Sequence, residues 1–125
     1  QRAVPEGEFI DLFIKGKYDI TGPATEYINA CCKDPDKAIR LLRDNGFEVS
    51  IVSEPEEVER LNRHYDQSRR SWPAEDRLEF DKFVSGERWR SAWRFWDIFA
   101  RYKVSLFIRD GKIERVWARV DRTMP

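Results

Sequence analysis

Residues 102 to 120 constrain the fold more than any other stretch of this chain. Tyr102, Val104, Leu106 and Ile108 alternate with Lys103, Ser105 and Phe107, and Ile113, Val116, Ala118 and Val120 follow on the far side of Arg109-Asp110-Gly111-Lys112. A period of two is the mark of a strand with one face on a core. Asp-Gly in the middle can adopt the two successive positive φ angles of a type I′ turn, whose twist matches that of paired strands. The segment therefore predicts two antiparallel strands joined by a tight turn at Asp110-Gly111.

The N-terminal half reads as helices. Phe9, Leu12 and Phe13 form one apolar face over residues 8 to 14, with Gly16 able to end the helix. After Thr21-Gly22-Pro23, the residues Ala24, Tyr27, Ile28 and Cys31 repeat that spacing and predict a second helix of about two turns. The third is the clearest, running from the N-cap and proline of Asp34-Pro35 to Asn45-Gly46, with Ala38, Ile39 and Leu42 as its buried stripe. Phe47, Val49 and Ile51 then alternate with Glu48 and Ser50 as a strand. Ser53 and Glu56 have the spacing of a capping box ahead of a fourth helix carrying Val58, Leu61 and Tyr65. Residues 66 to 76 read as a surface connection. A short helix is expected next, with Leu78, Phe80, Phe83 and Val84 inward and Gly86 past its end. Residues 88 to 99 suit either state, and their aromatic and β-branched content favours a strand.

Helices first and strands last predict an α+β fold: one domain over residues 1 to 125, with N-terminal helices on one face of a C-terminal antiparallel sheet of three or four strands ending in a β-hairpin. The wording of that hairpin, Phe107-Ile108-Arg109-Asp110-Gly111-Lys112-Ile113 through Val120-Asp121, is similar to the closing strands of NTF2-like and other cystatin-like cone folds. The resemblance spans those residues alone, and a strand at 47 to 52 between two helices departs from the NTF2-like pattern. It implies a small-ligand binder or enzyme with its pocket between sheet and helices, and carries over no catalytic residue.

Charge and composition narrow the function classes. Lysine plus arginine balances aspartate plus glutamate at 23 each, so overall charge supplies no attraction for nucleic acid or an anionic membrane. The balance is uneven along the chain: residues 1 to 85 hold 13 basic and 18 acidic side chains, and residues 86 to 125 hold 10 and 5. Such asymmetry can draw two parts of a domain together or orient a partner. No apolar run approaches the roughly 18 residues of a membrane span, so a soluble domain is expected. A chain opening on Gln1 without an initiator methionine is what an exported product with its signal peptide removed would show, and equally what a truncated chain would show. Adjacent Cys31 and Cys32 close no long loop and are expected as packing residues, one sulfur buried and one near the surface. With His64 as the sole histidine, the usual nitrogen and sulfur ligands are too few for a zinc site, and no cofactor motif is present.

Candidate chemistry is sparse. His64 lies on a charged helix beside Arg63 and Tyr65, which predicts a solvated residue rather than a catalytic base. Glu56 and Glu57 sit where a helix N-terminus favours negative charge, and Glu75, Asp76, Glu79 and Asp81 alternate with Arg77 and Lys82 as an exposed surface would. The one anomaly is Arg88-Trp89-Arg90-Ser91-Ala92-Trp93-Arg94-Phe95-Trp96, where cations and large rings interleave. Arg88, Trp89, Arg90, Trp93, Arg94 and Trp96 are accordingly the candidate binding residues. Three readings follow: core rings with solvated arginines, a protein interface rich in the residues that dominate hot spots, or a surface for single-stranded nucleic acid. The expected role is that of a small domain that binds a protein partner without catalysis, with the cone-fold ligand binder and single-strand binding as alternatives.

Overall fold

In the computed structural model, residues 6–16, 18–69, 79–89 and 100–122 are described. Among the described residues, four helices, α1 (Glu6–Lys15), α2 (Thr21–Cys31), α3 (Pro35–Asp44) and α4 (Pro55–Arg69), accompany four strands, β1 (Glu48–Val52), β2 (Lys82–Trp89), β3 (Ala100–Arg109) and β4 (Lys112–Arg122). The strands form one antiparallel sheet in the order β1-β2-β3-β4, so the predicted α+β architecture holds.

The hairpin is built as the sequence predicts. Asp110 and Gly111 both have positive φ, 52° and 74°, and Arg109 pairs with Lys112 across the turn. The three-residue step from Ile113 to Val116 has a local cause. The register shifts between Phe107 and Ile108, so that Ile108 faces Ile113 while Phe107 faces Arg115, and Glu114 is the extra residue of a β-bulge.

Period-two alternation divides the sheet's side chains into two layers. Tyr102, Val104, Leu106 and Ile108 of β3, with Val84 of β2 and Val116, Ala118 and Val120 of β4, pack against Phe9 and Phe13 of α1, Ala24 and Ile28 of α2, and Ala38, Ile39 and Leu42 of α3. Rings stack through this layer, with Phe13 lying 5.1 Å from Tyr102 and 5.5 Å from Phe47 between centroids. The opposite face is covered differently. α4 sets Val58, Leu61 and Tyr65 over Phe83, Phe107 and Trp117, together with Phe80 and Val52, as a second apolar cluster at one end of the sheet. Asn62 fastens α4 there by donating from Nδ2 to the Phe80 carbonyl at 3.0 Å. The helices thus divide, α1 to α3 on one face and α4 on the other.

Local expectations hold for α3, where Asp34 is the N-cap, Pro35 the first helical residue, and Gly46 takes φ of 83° beyond the C-cap Asn45. Four others are corrected. The surface connection read from residue 66 starts later, because α4 runs on to Arg69. The short helix expected to end at Gly86 is instead strand β2: Phe83 turns to α4 and its neighbour Val84 to the other core, an opposition that alternation permits and a helical stripe does not. Gly86 is there for space, since a Cβ would meet Leu42 Cδ1 at 3.2 Å. The box of Ser53 and Glu56 is out of register, because α4 starts at Pro55 and Val58 bonds to the Glu54 carbonyl, making Glu54 the cap position. Cys31 and Cys32, expected as free packing residues, are joined by a disulfide at the C-terminus of α2 that closes a small ring through their shared peptide. Both are half-buried.

Candidate functional site

The arginine and tryptophan segment falls partly outside the described residues: Arg90, Trp93, Arg94 and Trp96 lie there, and so do Glu75, Asp76 and Arg77. Arg88 and Trp89 end β2, and strand alternation sends these neighbours to opposite faces. Arg88 shares the helix-covered face with Tyr102, its partner across the ladder. Its Nη1 donates to the carbonyl of Asn45, so the guanidinium closes the C-terminus of α3, where free carbonyls and the helix dipole favour a cation. Trp89 points the other way and is 58% exposed. The Arg101 guanidinium lies over its ring, 4.1 Å from the centroid, while Arg101 Nε reaches Glu87 at 3.1 Å.

Trp89 belongs to a layer that the sequence pattern did not single out. Across the ladder, the face opposite α1 to α3 presents Trp89, Arg101 and Asp121 in one row, then Glu48, Glu87, Lys103 and Arg119, then Ser50, Ser85, Ser105 and Trp117. The apolar cluster under α4 begins at the last of these rows, with Trp117. The charges are internally matched, with Lys103 Nζ 3.1 Å and Arg119 Nε 3.4 Å from the two oxygens of Asp121. Both pairs join residues of the basic C-terminal part, whereas Arg109 and Glu79, 3.2 Å apart, link it to the acidic part.

Beside Tyr65 of α4 this layer dips into an open groove of about 580 Å³, lined by Tyr18, Asp19, Thr21, Tyr65, Lys103, Ser105, Trp117, Ala118 and Arg119. Its aromatic end is closely packed: Trp117 lies edge-on to Phe107 at 4.8 Å and to Tyr65 at 5.4 Å. Its rim is held by Thr21, whose hydroxyl donates to the Ala118 carbonyl and accepts from the Ala118 amide. The Thr21 hydroxyl and the Thr21 amide, 2.9 Å from Asp19 Oδ1, hold the Asp19 carboxyl below the usual aspartate range. A smaller crevice between α1 and α2 contains Tyr27, whose hydroxyl burial and the nearby Glu8 raise above the ordinary tyrosine value.

The remaining candidates are placed plainly. His64 is exposed on α4 with its ring 5.5 Å from that of Tyr65. Glu56 and Glu57 occupy the first turn of α4, as the dipole argument expects. Asp81 Oδ2 accepts the Asp110 amide at 2.9 Å, so Glu79 and Asp81 both hold the hairpin end. Among the described residues no group of three or more histidine, cysteine, aspartate or glutamate side chains is placed to hold a metal ion, and no helix is long and apolar enough to cross a membrane. No family model matches the chain, and no curated protein or solved structure is significantly similar to it.

Proposed function

We propose that this chain acts by binding a protein partner, without catalysis of its own, on the open part of the sheet face that carries Trp89. The observation that carries the reading is the presentation of Trp89: a large ring left 58% exposed and backed by the Arg101 guanidinium. Tryptophan and arginine are the residues that most often dominate binding energy at interfaces, because a rigid ring gains much area on burial and arginine adds directed hydrogen bonds. Lys103, Arg119 and Asp121 supply a charged border to the same surface. To test it, proteins retained from the source cells by the immobilised parent are compared with those retained by Trp89→Ala and Arg101→Gln, and each difference is titrated against the purified chain. A species bound by the parent and weakened at least about ten-fold by Trp89→Ala supports the proposal. Identical affinities across the three chains sink it.

A second reading rests on the groove. Its volume of about 580 Å³ falls within the range of small-molecule sites, and its Trp117 and Tyr65 rings with a hydroxyl-bearing rim suit a small ligand with a flat apolar face. This is the ligand-binder alternative, with the pocket between the sheet and α4; the side facing α1 to α3 is filled by side chains. A ligand that quenches tryptophan fluorescence in the parent and in Trp89→Phe, but not in Trp117→Phe, would favour it over the protein interface.

A further inference from the structure

The sheet has two edges, and the chain treats them differently. Along β4 the connector between α1 and α2 acts as a cover: Ile20 donates to the Ala118 carbonyl at 3.0 Å, Val120 donates to the Tyr18 carbonyl at 2.8 Å, and Asp19 bridges Arg119. Along β1 no described residue pairs with the outward backbone groups of Glu48–Val52. Natural edge strands are usually blunted by shortness, a charged side chain, a proline or a bulge. β1 is five residues long and carries its one charge, Glu48, at its first residue, but it has no proline or bulge, and its pairing with β2 runs unbroken from Glu48 opposite Glu87 to Val52 opposite Phe83. It also carries Ile51, 44% exposed on the face that elsewhere forms the helix-covered core.

We propose that β1 is the seat of a two-fold dimer, in which two copies of this chain pair antiparallel edge to edge and continue one sheet through both. The occupant is read from the strand itself. A two-fold axis at Ser50 sets each Ile51 beside Val49 of the other copy on one face, which covers the exposed aliphatic side chain with a β-branched neighbour. The same axis sets Glu48 opposite Val52 and, beyond the strand, Glu54 opposite Gly46, so no two carboxylates face each other. Ser50 meets Ser50 on the other face, where small hydroxyls tolerate close approach. The palindromic spacing of Val49 and Ile51 about Ser50 is what makes a second copy the fitting partner.

Sedimentation equilibrium of the full chain over a wide concentration range tests this. The parent is expected to reach twice the mass of the chain, and Ile51→Lys to weaken association by more than about ten-fold through an ammonium placed against Val49 of the other copy. Circular dichroism with a thermal melt confirms that the variant folds. If it does not fold, hydrogen exchange of the parent decides: the outward amides of β1 gain protection on concentration in a dimer of this kind. A parent that stays monomeric at its solubility limit overturns the proposal, as does a dimer that Ile51→Lys leaves intact or one without concentration-dependent protection in β1.

Discussion

On one side of β3, every even-numbered residue from Ala100 to Ile108 is buried beneath helices; on the other, Phe107 is buried and Arg101, Lys103, Ser105 and Arg109 are not. The backbone is the same, so the difference comes from what each face is given to pack against. α1 to α3 match the first face along its length with aromatic and aliphatic residues. α4 reaches only the end of the second, and the serines and ion pairs beyond it would be costly to bury unpaired. The second face is therefore where a partner could add contacts without displacing anything from the core.

The largest expected effect tests whether the second face has a core of its own. Phe107→Ala should cost about 3–5 kcal/mol in urea denaturation, as a fully buried ring in a cluster that cannot fully collapse. A loss near that of a surface change would reduce α4 to a loose appendage. The next prediction inverts intuition about neighbouring residues. Arg88→Ala should cost about 1.5–3 kcal/mol, because it leaves the Asn45 carbonyl at the end of α3 without its charged donor. Trp89→Ala should cost less than about 1 kcal/mol, the worth of an exposed cation–π contact. If the tryptophan proves the more expensive of the two in the isolated chain, Trp89 is not a presented residue.

Between these lies Gly111→Val, expected to cost about 1–2 kcal/mol because a β-branched side chain is strained at φ of 74°. The turn bears on the comparison directly, since a one-residue slip in register would exchange the two faces. Unchanged denaturation midpoints would remove the turn as the source of that register. The smallest effect belongs to Asp19. Its folded carboxyl titrates below the unfolded one, so the stability it adds is present above about pH 4 and fades as pH falls through the lowered value. Asp19→Asn should flatten the acid limb of stability slightly, and an unchanged limb would show that its bonds to Thr21 contribute nothing measurable.

Much of the architecture was legible because local signals agreed with the final packing. Asp34-Pro35 and Asn45-Gly46 bound α3, and the alternation around Asp110-Gly111 gives β3 and β4 their inward residues. The failure at residues 78 to 86 has the opposite origin. Phe80, Phe83 and Val84 fit a helical stripe by spacing, but two of them serve a second core that exists only because α4 folds back over the sheet. The candidate site was less legible still. The aromatic and cationic segment drew attention to Arg88 and Trp89 together, and only alternation across β2 reveals that one braces α3 while the other faces outward. Lys103 and Ser105 were read only as the residues alternating with the inward side of a strand, and Trp117 and Arg119 carried no signal of their own; their convergence with Tyr18, Asp19 and Tyr65 depends on elements far apart in sequence.

The cover over β4 has a consequence for the order of events in folding. The Thr21 hydroxyl and the Ala118 carbonyl are 97 residues apart in the chain, so their contact closes one of the longest loops in the molecule. Loop-closure entropy rises slowly with length, but contacts of such separation slow folding because little is gained until the ends meet. During synthesis, α1, α2 and their connector emerge well before residues 118 to 120, and until then Tyr18–Ile20 have no strand to bond. The sealed edge is therefore a late event, and a nascent chain stopped before residue 118 would leave the Ala100–Val104 part of β3 as an open edge with the hydrophobic side chains of Tyr102 and Val104 beside it.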